Sequence, residues 1–467
     1  MSMKNDVPQK QRALVLQGGG ALGAYEAGAI SVLCEYLFDE DKRNNEKKDG
    51  PLFDIIAGTS IGAMNAAVLV SNVVNRKKTW KAATEVLENF WIDEVKEKEE
   101  SDEKKGGLSS TAPFSDIWWH SEKSQNNLAA TPGAARREYS VKYYLRYGAP
   151  NVFYPHVPQF DYKFGDSDNL WFIYDSYPLE QTIKRYSKDQ NDKKDNGGGL
   201  RVATSWEQRQ PRLLVISIDV AEGKTVAFDS YHREKGVPGN SLYDGGDGIT
   251  INHIMASGTL PVFYKFREIP NEGGRKFCDG GVLSNTPFRE LLQAHRDYWK
   301  KVIDEEQDKI PDLDVYIINV HPSKQKSVLK DDHDAVKDRI NDIIFSDRNS
   351  HYDEMIADLI TDYKELIDKL KELVKGHFKN KDQSDSAFQD KFENILKPTE
   401  EKSKGAHIEN RKYKDLIKGR FKIPVTRIEP EGHEHSISGK GADFTSKTIK
   451  ELIAKGKEDA RRVLKLQ

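Results

Sequence analysis

Between residues 12 and 325 the chain alternates short apolar runs with longer segments of amphipathic pattern. The short runs predict strands over 13–16, 54–57, 212–219, 276–278 and 313–320. The longer segments predict helices over 24–38, 62–74, 77–91, 250–257 and 287–301. Alternation of this kind is typical of an α/β fold with a mostly parallel sheet.

A serine stands at one of the predicted strand-to-helix junctions. The apolar run 53–57 leads into Gly58-Thr59-Ser60-Ile61-Gly62, and helix-forming residues follow directly. Strand, G-x-S-x-G and helix in this order indicate a tight turn that lifts a nucleophilic hydroxyl clear of a sheet. The alternative is an ordinary turn in which Ser60 only caps the helix.

A second junction is rich in glycine. The first predicted strand runs into Gly18, Gly19 and Gly20, with Gly23 close behind. Such a loop directs backbone amides toward an anion, either a dinucleotide phosphate or the oxyanion of an acyl intermediate. A dinucleotide site predicts an acidic residue that closes a second strand about 20 residues later. Asp39 and Glu40 instead end an amphipathic segment, so we favour the oxyanion interpretation and expect no cofactor.

The third candidate is an aspartate at the end of a short strand. Asp279 is followed by Gly280 and Gly281, and Pro287 is well placed in the first turn of the next helix. A partly buried carboxylate of this kind can take a proton from Ser60. Asp244 carries the same D-G-G letters, but no strand leads into it, and we interpret it as part of a polar turn.

Four blocks in register resemble the patatin-like phospholipase family. They are the glycine loop, the Ser60 motif, Ala256-Ser257-Gly258-Thr259-Leu260-Pro261, and Asp279-Gly280-Gly281. The resemblance implies a three-layer α/β/α hydrolase that uses a Ser–Asp dyad on acyl esters of lipids, without a metal. It assigns Ser60 as nucleophile and Asp279 as base. It also suggests four oxyanion donors, which are Gly18, Gly19, Gly20 and Ile61. The glycines that support the motifs are Gly58, Gly62, Gly280 and Gly281.

Two positions of the glycine loop depart from the family pattern. Leu22 stands where members often carry Arg or Lys, and Gln17 stands where many carry Asp. A cation there would lie near the oxyanion or a lipid phosphate. We expect its absence to affect the preference for phospholipids more than ester hydrolysis, because the backbone donors of the loop remain. The letters Q-G-G-G-A-L-G-A-Y are similar to a prokaryotic branch of the family.

The predicted catalytic domain spans 12–325, and a helical C-terminal extension spans 326–467. Residues 95–210 form an aromatic-rich insertion, which is either a cap lining an acyl channel or a small satellite core. Residues 353–378 predict a long amphipathic helix with an apolar face suited to a core or a partner helix. We expect a last strand over 421–428 and a closing helix over 445–466, both packed on the core.

Composition excludes several other classes of protein. A net charge of −3 over 467 residues gives no electrostatic basis for nucleic-acid binding. Cys34 and Cys278 lack metal-ligand spacing and are expected to be buried free thiols, and His433 and His435 lack a third ligand. No apolar stretch reaches the roughly 20 residues that span a bilayer. We therefore expect a cytoplasmic protein with at most peripheral membrane contact; the sequence does not indicate its oligomeric state.

The leading hypothesis is thus a lipolytic acyl hydrolase with lipid or acyl-ester substrates. Two alternatives stay open: an acyltransferase that uses the same Ser–Asp dyad, and a catalytically inactive lipid-binding protein. Retention of Ser60, Asp279 and the glycine loop together argues against the inactive protein.

Overall fold

The computed structural model describes most of the chain in separate stretches. These are residues 7–44, 50–101, 133–149, 151–156, 172–187, 200–231, 248–269, 273–302, 310–324, 333–346, 421–431 and 437–466, with scattered positions between 352 and 373.

The described elements follow one another in an α/β order. The strands are β1 (Lys10–Leu16), β2 (Ile55–Thr59), β3 (Tyr154–Pro155), β4 (Tyr174–Asp175), β5 (Arg201–Val202), β6 (Arg212–Asp219), β7 (Lys224–Asp229), β8 (Ile249–Thr250), β9 (Arg267–Glu268), β10 (Lys276–Asp279), β11 (Asp312–Ile318) and β12 (Val425–Ile428). The α-helices with continuous bounds are α1 (Gly23–Arg43), α2 (Ile61–Val74), α3 (Trp80–Ser101), α4 (Gly133–Tyr147), α5 (Tyr177–Ser187), α6 (Ile251–Ser257), α7 (Phe288–Val302), α8 (His333–Phe345) and α9 (Ser446–Val463).

The central sheet has the order β12-β11-β1-β2-β6-β10-β9, and β7 pairs with β6. The five strands from β12 to β6 are mutually parallel, whereas β7, β9 and β10 join antiparallel. The predicted α/β class with a mostly parallel sheet is therefore confirmed. The antiparallel strands next to β6 were not foreseen.

Side chains of the central strands alternate between two apolar layers. Leu14 and Leu16 of β1 belong to the cluster that contains residues of α1, α2, α3 and α9. Ala13 and Val15 belong to the opposite cluster, which contains residues of α7. This two-residue period buries both faces of the sheet, which produces the three-layer arrangement.

Two strands meet end to end along one edge of β6. Thr59, the last residue of β2, pairs with Ile216, and Asp279, the last residue of β10, pairs with Ser217. Because β7 occupies the other edge of β6 over these positions, β2 and β10 share the same edge. Since β10 runs antiparallel to β6, the C-terminal ends of β2 and β10 converge.

The last described elements pack on the same core. β12 extends the sheet parallel to β11, and Tyr25 of α1 donates to Asp459 of α9 over 3.1 Å. Gly28 and Gly456 allow α1 and α9 to approach closely, since a Cβ added at either would lie about 2 Å from a carbonyl oxygen of the other helix. Among the described helices, none has the length and apolar character needed to cross a membrane.

Several predicted boundaries were wrong, for local reasons. The third helix was expected over 77–91 but runs from Trp80 to Ser101, because its charged second half is still helical. The last strand begins at Val425, not at 421, because Pro424 has no N–H to donate to a ladder. The strand predicted over 212–219 has the expected bounds.

Candidate active site

Ser60 lies at the turn between β2 and α2. Its φ is +54° and its ψ is −123°, a strained combination for a residue with a side chain. The hydroxyl makes no capping bond to α2, so the alternative of a simple helix cap is wrong. Close packing explains Gly62, because a Cβ there would lie 2.6 Å from the Leu16 carbonyl oxygen. The same holds at Gly58, where a Cβ would lie 2.5 Å from the Ala63 nitrogen.

Asp279 lies directly opposite this serine. The Ser60 hydroxyl donates to Asp279 Oδ2 over 2.6 Å, and the Gly281 amide donates to Oδ1 over 2.7 Å. Burial raises the pKa of Asp279 to about 6, although both hydrogen bonds act to lower it. The carboxylate thus has the proton affinity of a base that works near neutral pH.

The segment 256–261 supports both partners. The Ser60 amide donates to Ser257 Oγ over 2.8 Å, and the Ser257 hydroxyl donates to the carbonyl of Ile216 on β6. The Asp279 amide donates to the Thr259 carbonyl over 2.9 Å. One short segment therefore fixes the backbone of the serine and of the aspartate; the sequence marked this segment as a motif without revealing that role.

The glycine loop lies beside Ser60 and Asp279, and Gly18, Gly19 and Gly20 line the same cavity as Ser60. The Gly18 amide already donates to the Asn285 carbonyl over 3.2 Å, which leaves it poorly placed to bind an oxyanion. Gly20 has φ +60°, and a Cβ there would lie 2.4 Å from the Gly441 carbonyl oxygen. Ile61 is the first residue of α2, whose first amides have no intrahelical acceptor.

Gln17 and Leu22, the two departures in this loop, have structural roles. Gln17 Oε1 accepts from the Val320 and His321 amides, while its Nε2 donates to Thr286 Oγ1 and to the Phe345 carbonyl. These four bonds tie the loop to the end of β11, to α8 and to Thr286, which precedes α7. Leu22 is buried in the apolar core and does not line the cavity.

A polar cluster that the sequence did not reveal lies next to the loop, and its members His321, Asp338 and Lys440 line part of the same cavity. Lys440 Nζ lies 2.6 Å from Asp342 Oδ1 and 3.2 Å from Asp338 Oδ1, and His321 Nδ1 lies 3.0 Å from Asp342 Oδ1. Burial lowers the pKa of His321 and raises that of Asp338 to about 6. Burial also acts to raise the pKa of Asp342, but hydrogen bonds from His321 and Lys440 outweigh it and the pKa is lowered.

The cavity over Ser60 measures about 590 Å³ and is mainly apolar. The insertion contributes to its wall through Val141, Leu145, Phe153, Tyr174 and Leu179. Phe153 and Tyr174 also belong to a separate aromatic cluster with Tyr143 and Tyr144. The described part of the insertion is therefore both a satellite core and a wall of the cavity.

His253, Cys34 and Cys278 are buried side chains outside the Ser60–Asp279 pair. His253 caps α6, where its Nδ1 accepts from the Thr250 amide, and burial lowers its pKa to about 4. Cys34 and Cys278 are free and buried, as predicted. Asp244, His433 and His435 lie outside the described residues, and within the described part of the chain no group of His, Cys, Asp or Glu is arranged to hold a metal.

The family model for patatin-like phospholipases matches residues 14–292, which include the glycine loop, Ser60 and Asp279. The chain belongs to the patatin-like phospholipase family. A search of curated proteins found no match. The patatin-like match ends before His321, Asp342 and Lys440, so the buried cluster lies beyond it.

Solved structures with a distant likeness to this chain include VipD and ExoU. VipD from Legionella pneumophila is 12% identical with a TM-score of 0.31, over 98% of this chain and 67% of that one. The type III effector protein ExoU is 11% identical with a TM-score of 0.32, over 98% of this chain and 53% of that one. The ExoU chain in a complex with SpcU from Pseudomonas aeruginosa is 13% identical with a TM-score of 0.27, over 85% of this chain and 65% of that one. This patatin-like chain thus spans about half the length of ExoU, and its family assignment rests on the family model alone.

Proposed function

We propose that this chain is a serine acyl hydrolase that cleaves acyl esters of lipids, with Ser60 as nucleophile and Asp279 as base. One observation carries the proposal. The Ser60 hydroxyl lies 2.6 Å from a buried carboxylate, in a strained turn on the wall of an apolar cavity. The family membership supports the same reaction class.

In the first step Asp279 takes the Ser60 proton as the Ser60 oxygen attacks the ester carbonyl carbon. The carbonyl oxygen becomes an oxyanion, which we assign to the amides of Gly19, Gly20 and Ile61. Loss of one such donor costs about 2.7–4 kcal/mol of barrier in other serine hydrolases. The protonated Asp279 then gives its proton to the departing alcohol, which leaves an acyl group on Ser60.

In the second step water attacks the acyl carbon and gives a proton to Asp279. Collapse of the second oxyanion breaks the bond to Ser60, which recovers its proton from Asp279, and the fatty acid leaves. The same two residues thus serve both halves of the reaction, and neither half uses a histidine, a metal or a cofactor.

The cavity supports a lipid acyl chain as the substrate group. Its walls combine aromatic and aliphatic side chains from the core and from the insertion, among them Trp91, Phe153, Leu260 and Phe444. Such a lining excludes water and suits an apolar chain more than a polar one. A cytoplasmic location with peripheral membrane contact is part of this proposal.

Replacement of Ser60 by alanine tests the nucleophile. We expect Ser60→Ala to fold normally and to lose at least about 10³-fold in kcat/KM on a p-nitrophenyl acyl ester, since no other described hydroxyl donates to Asp279. Ser71→Ala, on the same helix but away from the cavity, is the control and should keep full activity. Equal activity of Ser60→Ala and the control would remove the assignment.

The nature of the acyl acceptor needs a separate measurement. Incubation with a labelled lipid ester, with and without a labelled alcohol, separates hydrolysis from acyl transfer by mass spectrometry of the products. We expect free fatty acid as the main product. Absence of both products, with lipid still bound, would instead favour an inactive lipid-binding protein.

A further inference from the structure

An apolar stripe runs along the described positions between 352 and 373, which are helical. Its large side chains are between 45% and 69% exposed; they are Tyr352, Met355, Leu359, Tyr363, Leu366, Leu370 and Leu373. By contrast, Leu452 and Ile453 of α9 are only 5% exposed. A continuous exposed row of this kind indicates a surface that binds a partner. We call it the 352–373 stripe.

The spacing of the stripe identifies the kind of partner. Tyr352, Leu359, Leu366 and Leu373 recur every seven residues, and Tyr363 and Leu370 fall four residues after members of that series. When the seven positions of the repeat are lettered a to g, the series Tyr352, Leu359, Leu366 and Leu373 occupies position d. Tyr363 and Leu370 then occupy position a. A seven-residue apolar repeat with this spacing is the signature of a helix that packs against another helix in a left-handed coiled coil.

The charges of the segment argue against a membrane as the partner. Residues 353–375 contain seven acidic and four basic side chains, a net charge of −3. Helices that lie on anionic lipid surfaces instead carry Lys and Arg on the polar face. The stripe therefore suits a protein helix better than a lipid surface.

The flanking positions indicate which helix that is. Asp362 and Lys369 both occupy g and are both exposed. In an antiparallel pair of identical helices centred between Tyr363 and Leu366, every a residue faces a d residue of the other copy. The g positions then face each other, so Asp362 lies opposite Lys369 of the partner subunit, and the symmetry makes this contact twice.

A parallel pair would not use these charges. There g faces e of the other helix, and e is occupied by Ile360 and Ile367. Opposite charges at facing g positions are a device that sets helix orientation and partner choice. The charge pattern is thus self-complementary only in the antiparallel arrangement.

We propose that the 352–373 stripe joins two copies of this chain in an antiparallel coiled coil. The stripe begins beside the sheet, because Arg427 of β12 donates to Glu354 over 2.8 Å. Each coiled coil would therefore connect two catalytic sheets through their β12 edges. The inference goes beyond the proposed hydrolase and does not depend on it.

Charge reversal at the two g positions tests the proposal by sedimentation velocity of the full chain. Asp362→Lys places Lys opposite Lys, and Lys369→Asp places Asp opposite Asp. Since each variant turns two favourable contacts into repulsive ones, we expect each to self-associate at least about tenfold more weakly than the wild type. An equimolar mixture of the two variants restores both contacts and should form a heterodimer of wild-type affinity.

Two further measurements make the result decisive. Leu366→Asp should be monomeric, and circular dichroism melting of the catalytic core should be unchanged in all variants. A monomeric wild type at every concentration, or a mixture that associates no better than the separate variants, would overturn the proposal. Wild-type monomer that cosediments with anionic vesicles would assign the stripe to membranes instead. None of these readouts uses ester hydrolysis, so they stand apart from the test of Ser60.

Discussion

The two sides of the candidate active site are built in different ways. The dyad side lies within the family-matched residues 14–292, where Ser60 and Asp279 end two strands that converge along β6. The other side consists of His321, Asp342 and Lys440 from beyond that match, and His321 and Lys440 line the cavity. Short local motifs thus mark Ser60 and Asp279 in the sequence, whereas residues far apart along the chain form the polar cluster next to the glycine loop.

The first prediction concerns the dyad side. Asp279→Asn keeps an acceptor for the Gly281 amide but removes the base, so we expect kcat/KM to fall by about 10²–10⁴. The substitution should also stabilise the fold. Burial raises the pKa of Asp279 from 3.8 to about 6, which costs about 3 kcal/mol when the group is ionised.

The size of that stability change depends on pH. A raised pKa means that the native state binds its proton more tightly, so wild-type stability is lost as pH rises from about 4 through about 6. Thermal melting of Asp279→Asn should therefore exceed that of the wild type at pH 8 and converge with it near pH 4. A variant that is less stable than the wild type at pH 8 would contradict the burial argument.

The second prediction concerns the buried cluster. Lys440→Met leaves Asp338 and Asp342 without their cation, and breaking a buried pair of this kind costs about 3–5 kcal/mol of unfolding free energy. Lys224→Met removes an exposed pair with Glu222 and should change stability by less than about 1 kcal/mol. Denaturant unfolding of both variants measures the contrast.

Acid should relieve the Lys440→Met defect. Asp338 has a pKa of about 6 even with the lysine present, so its protonation below that pH removes much of the uncompensated charge. If the loss of unfolding free energy in Lys440→Met is equal at pH 5 and pH 8, or equal to the loss in Lys224→Met, the cluster does not stabilise the fold.

The third prediction concerns the contact between the two sides. Gly20→Ala and its control Gly223→Ala place alanine at nearly the same φ, +60° and +61°. The new Cβ meets the carbonyl oxygen of Gly441 at position 20, whereas no atom outside the adjacent residues lies within 4 Å of it at position 223. The shared strain costs about 1–2 kcal/mol in each variant. The displaced loop should additionally lower kcat/KM of Gly20→Ala by about 10²–10³. Equal kcat/KM for both variants would mean that the loop does not position oxyanion donors.

Much of the dyad side could be predicted from the sequence, because its information is local. A strand, a G-x-S-x-G turn and a helix are contiguous, and the helix predicted over 62–74 differs from α2 by one residue. The role of Ser257 was hidden, since its bonds to Ser60 and Ile216 join positions that are far apart along the chain.

The cluster side could not be predicted, because no local pattern marks it. Lys440 follows Asp342 by 98 residues, and a lysine in a polar segment carries no sign that it will be buried. Gly441 likewise gives no hint that it packs against Gly20, a contact that only the tertiary structure creates. Strand β7 was not predicted, because the polar residues at both of its ends shorten the apolar run that would indicate a strand.

Labelling by a fluorophosphonate is the sharpest test of the Ser60–Asp279 pair, because this class of reagent reacts preferentially with activated serine hydroxyls. We expect a single adduct on Ser60 by peptide mass spectrometry, a labelling rate that rises with pH through about 6, and no adduct in Asp279→Asn. Labelling at another residue, or an Asp279→Asn variant that labels as fast as the wild type, would contradict the dyad.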